Sequence, residues 1–427
     1  MWLIAYFIVI SIAALCCWPW WSLLSLRRGR PGWAGLRLGF KTQHLRSLPP
    51  GGIWVHALSV GEVLSAVPVI RALRQRLTAQ PIYISVSTYA AWDMIRKRLL
   101  GEGCYILVRP LDVPWAVKHW LDTLRPAFFC LIESDLWPGW QTAIRKRGIK
   151  SVLLNARISS RSSKKYNFFP GAGRKLYADF DSIFVQSGRD MARLEELGIR
   201  NGRDLGNIKY DSLPLPLNSK QREDLKQSLG LAGRRVLVAG STHPAAPGHG
   251  EEDICLRVWQ RLRATLLPDL ALILAPRDQR RGAEILSLAP ASQAWRYSQG
   301  SLPPERSILI LDVIGLLSQV YGVGEVAFVG GSLAPFRGHN PLEPALQGVP
   351  VLFGPDMDDF ALPAGELQDA GAARTVNDEE EFYENCRELM ADPDLARRMG
   401  GQGRKLCLRN QGAVERIIAS LPWDEIK

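Results

Sequence analysis

Residues 53–62 read Ile53-Trp54-Val55-His56-Ala57-Leu58-Ser59-Val60-Gly61-Glu62. An apolar run ends at residue 57. A turn with Ser59 and Gly61 follows, and residues 62–77 then carry apolar side chains at helical spacing. That is a strand feeding a helix, and the unit recurs along the chain. Further strand candidates are 82–86, 128–132, 152–154 and 183–185, with helical patterns between them. Such alternation predicts a parallel sheet covered on both faces. The pattern breaks at Pro214-Leu215-Pro216 and the charge-rich stretch 220–227. It resumes with apolar runs at 236–239, 272–275, 308–311, 326–329 and 351–353, and residues 378–421 read as helices. The expectation is two α/β lobes of similar size, joined near 212–230, with no visible internal repeat. Ligands of open parallel sheets bind beyond the carboxyl ends of the strands, so a cleft between the lobes is the default site.

Composition agrees. The chain has 427 residues, 47% hydrophobic and 22% charged, which fits two or three folded domains and excludes a disordered chain. The seven cysteines form no CxxC pair, so neither a disulfide framework nor a zinc site is expected. Lys and Arg total 53 against 42 acids, a net charge of +11.

The surplus begins after an uncharged N-terminus. Residues 2–26 carry no charge, and Trp18, Trp20 and Trp21 sit near one end. A helix of that length crosses a hydrocarbon core of about 30 Å. Pro19 is expected to kink or end it. Arg27, Arg28, Arg30, Arg37, Lys41 and Arg46 follow with no acid among them, so the positive-inside rule puts the rest of the chain in the cytoplasm. A cleaved signal peptide would have its basic region first, which is the reverse order. Residues 1–26 therefore read as an uncleaved anchor and 27–50 as a basic linker. A helix lying in one leaflet is the alternative.

Five constellations carry candidate chemistry. Glu62 follows the first strand, where a carboxylate can take a proton from a hydroxyl; an ordinary helix-start acid fits the same pattern. Glu133-Ser134-Asp135 follows strand 128–132, as catalytic acids or as a cap before Pro138. Arg157, Arg161, Lys164, Lys165, Arg174 and Lys175 surround Tyr166, Phe168 and Phe169 with no intervening acid. Such a loop suits phosphates and acyl chains at a membrane, or nucleic acid, or is a solvated basic loop; the anchor favours lipid. Lys209, in Gly206-Asn207-Ile208-Lys209-Tyr210-Asp211, is placed to stabilise developing negative charge or is a surface lysine. Last comes Gly330-Gly331-Ser332, then Gly338-His339-Asn340-Pro341-Leu342-Glu343-Pro344-Ala345. Here Asn340 reads as an N-cap and Pro341 as the first helical residue, with N–H groups suited to phosphate and Glu343 to ribose hydroxyls. Arg277 after strand 272–275 suits a phosphate. Asp356-Met357-Asp358 spells DxD but reads as a solvated acidic loop.

These motifs resemble the 3-deoxy-D-manno-octulosonic acid (Kdo) transferases. HALSVGE, ESDLWP, NARISSRS, GNIKYD, GSTH, APR and GGSL…GHNPLEPA occur in that family's order over nearly the whole chain. The resemblance implies a GT-B fold: two Rossmann-like lobes facing a cleft, behind one N-terminal membrane-anchor helix. Lobe 51–215 then takes the lipid A precursor and lobe 216–427 takes CMP-Kdo. It implies an inner-membrane enzyme of lipopolysaccharide synthesis, with its catalytic part cytoplasmic. The sugar is transferred with inversion, without metal or cofactor and without nucleic acid, beside anionic membrane lipids. Glu62 matches the general base, and Glu133 and Lys209 the groups that stabilise the transition state. Pro276, Arg277, Ile314, Gly315, Leu316, Asn340, Pro341, Leu342 and Glu343 match the CMP-sugar segments. Ser59, Gly61, Arg157 and Arg161 are the acceptor candidates.

The chain departs from that family in places. Ile314-Gly315-Leu316 replaces a usual Met-Gly-Glu, Arg277-Asp278 a usual Arg-His, and Ser134-Asp135 a common Thr-Glu. Residues 244–250 lengthen the connection between GSTH and Glu251-Glu252. Two other readings follow: the same fold with a different nucleotide sugar or acceptor, and a catalytically inactive, membrane-bound lipid-binding relative.

Overall fold

The computed structural model describes residues 2–40, 42–99, 102–158, 170–245 and 250–426. The strands of its first unit are β1 (Ile53–Ala57), β2 (Ile82–Val86), β3 (Cys104–Val108), β4 (Phe128–Ile132), β5 (Lys150–Ala156), β6 (Ser182–Val185) and β7 (Gly202–Asp204). They pair in parallel in the order β3-β2-β1-β4-β5-β6-β7. Central strands such as Phe128-Phe129-Cys130-Leu131-Ile132 are buried at every residue, because helices cover both faces of a parallel sheet. Alternate residues serve opposite faces. Ile53, Val55 and Ala57 pack with Val63 and Ile70 of the helix Val60–Arg76. Trp54, between them in sequence, packs on the other face with Trp120 and Trp140. His56 shares that face.

The second unit repeats the design with β8 (Val236–Thr242), β9 (Ala271–Pro276), β10 (Ala294–Arg296), β11 (Ile308–Ile310), β12 (Val326–Val329), β13 (Val351–Phe353) and β14 (Ala373–Thr375). These are also all parallel, ordered β10-β11-β9-β8-β12-β13-β14. In both sheets the connection reverses direction beside the first strand, at β1/β4 and at β8/β12. That is where open α/β sheets bind ligands.

Two expectations change. Helical spacing in 378–421 does not say which lobe a helix joins. The units divide as Met1–Ser212 with Asn410–Lys427, and Leu213–Arg409, so the last helices belong to the first unit. Asp211 holds them there: its carboxylate accepts the N–H groups of Gly412 and Val414, each at 2.6 Å, and Ile417 is buried in the first unit's core. Pro19, expected to kink or end the first helix, does not end it: it lies inside a continuous helix Trp2–Arg27. It is exposed, so its ring points away from packing and the helix forgoes one hydrogen bond.

Candidate functional site

The turn after β1 is a helix start with its cap in place. Ser59 is extended (φ −112°, ψ 170°), and its hydroxyl accepts the Glu62 N–H at 3.3 Å. Glu62 turns its side chain back, and Oε2 accepts the Leu58 N–H at 2.6 Å. The ordinary helix-start reading is thus satisfied geometrically, and it leaves the carboxyl buried. Burial, then the nearby negative charge of Glu133, pushes the Glu62 pKa up to about 8. The Leu58 hydrogen bond and the Lys209 charge oppose that rise without cancelling it.

Glu133 ends β4, next to β1 in the sheet. Its φ is +62°, a left-handed conformation unusual for a glutamate, held by its N–H donating to Leu154 O at 2.9 Å. Lys209 Nζ stands 3.1 Å from Glu133 Oε1. Asn155 supports both. The β5/β6 register shifts between Leu153 and Ala156, and Asn155 there is also left-handed, at φ +56°. Its Nδ2 donates to Glu133 at 3.4 Å and its Oδ1 accepts the Ile208 N–H at 3.0 Å. Asn207 Oδ1 accepts the Lys209 N–H at 3.0 Å. Thus β1, β4, β5 and the segment 206–209 bring Glu62, Glu133 and Lys209 together.

A second buried network flanks this group. His56 is fully buried, with Nε2 2.8 Å from Asp135 Oδ2 and Nδ1 2.8 Å from Ser85 Oγ. Burial lowers the His56 pKa, opposed by the Asp135 hydrogen bond and charge, and Nδ1 also stands 2.9 Å from Ser85 O. Asp135 also accepts from Arg109 Nη1 and from Trp137 Nε1, the latter at 2.6 Å. Burial alone would raise the Asp135 pKa. The His56 hydrogen bond and the Arg109 charge outweigh it and hold the carboxyl well below its usual range. Arg109 is itself buried, its guanidinium 4.5 Å from the Trp137 ring centre and 5.1 Å from that of Trp140. Arg37, in the basic linker, is turned inward. Burial, then the Arg109 charge, lowers its pKa to about 10, while Asp135 raises it.

In the second unit the candidates gather beyond β8, β9 and β12. One carboxylate builds the glycine-rich loop: Glu251 is fully buried and accepts five backbone N–H groups. His243 and Gly331 donate to Oε2 at 2.9 and 2.7 Å; Ser332, Leu333 and Ala334 donate to Oε1 at 3.0, 3.0 and 3.3 Å. Gly330 is required by this closeness, since a Cβ there would fall 2.6 Å from Ser241 O. Gly331 supplies φ +69°. His243 and His339 stack, with Nε2 atoms 2.7 Å apart. Burial and then the Arg277 charge lower both their pKa values, that of His339 to about 3. Arg277 is exposed just after Pro276 and its charge is also felt at Glu343. Burial pushes Glu343 up to about 7, opposed by Asn340, whose Nδ2 donates to Oε1 at 3.3 Å, and by Arg277.

Helix Leu342–Leu346 begins one residue later than expected. Pro341 is the cap position, and Asn340 Oδ1 accepts the Leu342 N–H at 3.2 Å. With five residues it carries little dipole, which leaves Arg277 as the main positive charge there. Ile314 is 72% exposed beside Gly315 (φ +94°), while Leu316 packs against the sheet's core, where an acid would not pack. Asp356, Asp358 and Asp359 all bind Arg337, through its backbone N–H and its guanidinium.

The acceptor candidates are less concentrated. Ser59 caps the Glu62 helix and Gly61 is exposed beside it. Arg157 is half-buried and already engaged. Arg161, Lys164, Lys165, Tyr166, Phe168 and Phe169 lie outside the described residues. Arg174 and Lys175 line a cavity of about 660 Å³ with Arg145, Lys146 and Asp179.

Sequence reasoning missed Arg109, Glu251 and a role for His56. Arg109 follows β3, a strand absent from the apolar runs singled out above. Glu251-Glu252 stood out only as the acid pair that follows GSTH after residues 244–250.

Residues 34–212 match the family described as 3-deoxy-D-manno-octulosonic-acid transferase (kdotransferase). A 3-deoxy-D-manno-octulosonic acid transferase of Haemophilus influenzae is 31% identical over 378 residues, 87% of this chain and 86% of that protein. Another, of Rickettsia bellii, is 31% identical over 373 residues, 86% of each. The S. aureus MnaA–UDP structure superposes with a TM-score of 0.58 over 86% of this chain and 95% of its own, at 14% identity, a likeness of fold alone.

Proposed function

The chain belongs to the 3-deoxy-D-manno-octulosonic acid transferase family of glycosyltransferases, and from that premise we propose that it transfers Kdo from CMP-Kdo to the lipid A precursor, with Glu62 as general base. The N-terminal helix holds the catalytic part at the cytoplasmic face of the inner membrane. The reaction is a single displacement with inversion. An acceptor hydroxyl gives its proton to Glu62. Its oxygen bonds to the anomeric carbon of Kdo as the bond from that carbon to the CMP phosphate breaks, and CMP leaves with the electron pair.

The observation that carries this reading is Glu62 itself. It is a buried carboxyl at the β1/β4 switch point, with its pKa pushed up to about 8. A base whose pKa lies near the working pH combines availability with proton affinity. Glu133 fixes Lys209, whose charge is available to the developing transition state. In the second unit, Arg277 meets the departing phosphate, with Pro276, Asn340, Pro341, Leu342 and Glu343 around the nucleotide. Ser59, Gly61, Arg157 and Arg161 are the acceptor-side candidates.

The test is a mass spectrum of the lipid after incubation with CMP-Kdo. An added Kdo with release of CMP supports the proposal; an unchanged lipid with folded protein refutes it. One observation favours a second reading, a different donor sugar: Leu316 places packed apolar surface where an acid is usual. A panel of CMP-Kdo, ADP-heptose and UDP-sugars separates the two.

A further inference from the structure

The N-terminal helix Trp2–Arg27 has two faces with different fates. Along one, the Tyr6 hydroxyl donates to Asp112 Oδ2 at 2.7 Å. Ala14 is buried with Leu38, Leu111, Val113 and Ala116, and Ile10 and Trp21 pack on the same cluster. Trp18 meets Phe40 edge-on at 5.8 Å. Ser25 Oγ accepts from Tyr89 Oη at 3.0 Å. Positions 6, 10, 14, 18, 21 and 25 recur every three or four residues, which is one continuous stripe. From Tyr6 to Ser25 it runs about 28 Å at 1.5 Å per residue. On other faces Ile4, Ile8, Ile12, Leu15, Leu23 and Leu26 are exposed over the same length, with no charged side chain among residues 2–26.

An exposed apolar face of that length needs an apolar cover, and exposed Arg27 and Arg28 at its end suit anionic headgroups. Lipid is the occupant. A crossing helix, however, would put Tyr6 and Ser25 at opposite edges of a hydrocarbon core of about 30 Å. The protein surface bonded to both would have to follow it into lipid. That surface includes Asp112, whose carboxylate also accepts the N–H groups of Gly139 at 2.8 Å and Trp140 at 2.7 Å, at the start of helix Pro138–Lys146. Irregular backbone and its carboxylate cap are not tolerated facing hydrocarbon. Crossing the bilayer and docking on the first unit therefore exclude each other.

We propose that this helix does not cross the membrane. It lies in the cytoplasmic leaflet, one face seated on the first unit and the other in lipid, so the N-terminus stays on the same side as the rest of the chain. The proposal rests on the reading of the helix as a membrane element, and not on the identity of the sugar. It also ties the leaflet to the site, since the helix start that Asp112 caps follows directly on Asp135 and Trp137.

The experiment uses the full chain in spheroplasts, with Cys16, Cys17 and Cys104 replaced by serine. One variant carries a cysteine appended ahead of Met1. The other carries Leu215→Cys, at a site 83% exposed, to report the side of the catalytic part. A membrane-impermeant maleimide is added before and after the membrane is opened. The expected result is sedimentation with membranes and labelling of both cysteines only after opening. Labelling of the N-terminal cysteine in intact spheroplasts, with position 215 protected, shows a crossing helix and overturns the proposal. Protein that stays in the soluble fraction overturns it as well, by removing the membrane reading beneath it.

Discussion

Lys209 Nζ stands 3.1 Å from Glu133 Oε1, and among the described residues Glu62, buried beside this pair, has no ion-pair partner of its own. The Glu133 carboxylate fixes the cation beside Glu62 without pairing it to Glu62. Glu62 is left as the acid whose proton is held by burial and by the Glu133 charge.

The first prediction is an opposition between activity and stability. With Glu62 as the proposed base the reaction uses its ionised form, so kcat/KM is expected to rise with pH through about 8. The unfolded carboxyl titrates near its ordinary value of about 4.3. Between that value and about 8 the folded state binds more protons. The stability Glu62 contributes is therefore complete below the unfolded pKa and is lost as pH rises through the folded pKa. Rate profiles and thermal melts over the same buffers check both signs.

The second concerns who sets that midpoint. Burial contributes most and stays in any conservative variant; the Glu133 charge comes next. Glu133→Gln lowers the midpoint of the rate profile, and Lys209→Met raises it. A profile that does not move in either variant shows that these charges do not act on the base.

The third is structural. Lys209→Met also strands a buried Glu133 carboxylate, since the pair is 15% and 8% exposed. A loss of about 3 kcal/mol is expected on breaking such a pair. Glu133→Gln with Lys209→Met together recovers part of it, measured by denaturant unfolding of single and double variants.

The fourth separates donor binding from chemistry. Glu251, fully buried, organises five N–H groups of the glycine-rich loop. Glu251→Gln keeps the shape but turns an acceptor into a donor facing donors. The KM for CMP-Kdo rises roughly tenfold or more, as expected for losing charge-assisted hydrogen bonds, with a smaller change in kcat. Arg277→Met weakens CMP binding by calorimetry and leaves the melting temperature near that of the parent, because Arg277 is exposed.

The sequence makes the frame legible and the supports much less so. Apolar runs of three to five residues show ten strands, because a strand buried on both faces is apolar throughout. The four missed strands, β3, β7, β10 and β14, are the edges of the two sheets, and β7 (Gly202-Arg203-Asp204) and β14 (Ala373-Arg374-Thr375) carry no such pattern. Glu62 and Glu133 were singled out at strand ends and Lys209 in the segment 206–211, and the structure brings the three together. Arg109 and Glu251 escaped because their roles depend on partners far away in sequence: Arg109 meets Asp135, and Glu251 meets residues 331–334. The charge surplus needed the same correction. Of the linker cations, Arg37 turns inward beside Arg109 and Arg30 pairs with Asp93.

The most direct test of the central claim is the rate at which Glu62→Gln makes Kdo-bearing lipid, followed by mass spectrometry near pH 8. CMP binding and melting temperature serve as controls for folding. The expected result is intact CMP binding with transfer slowed by about 100-fold to 10,000-fold, the usual contribution of a general base. A folded, CMP-binding Glu62→Gln variant that transfers Kdo at the parental rate would contradict the account.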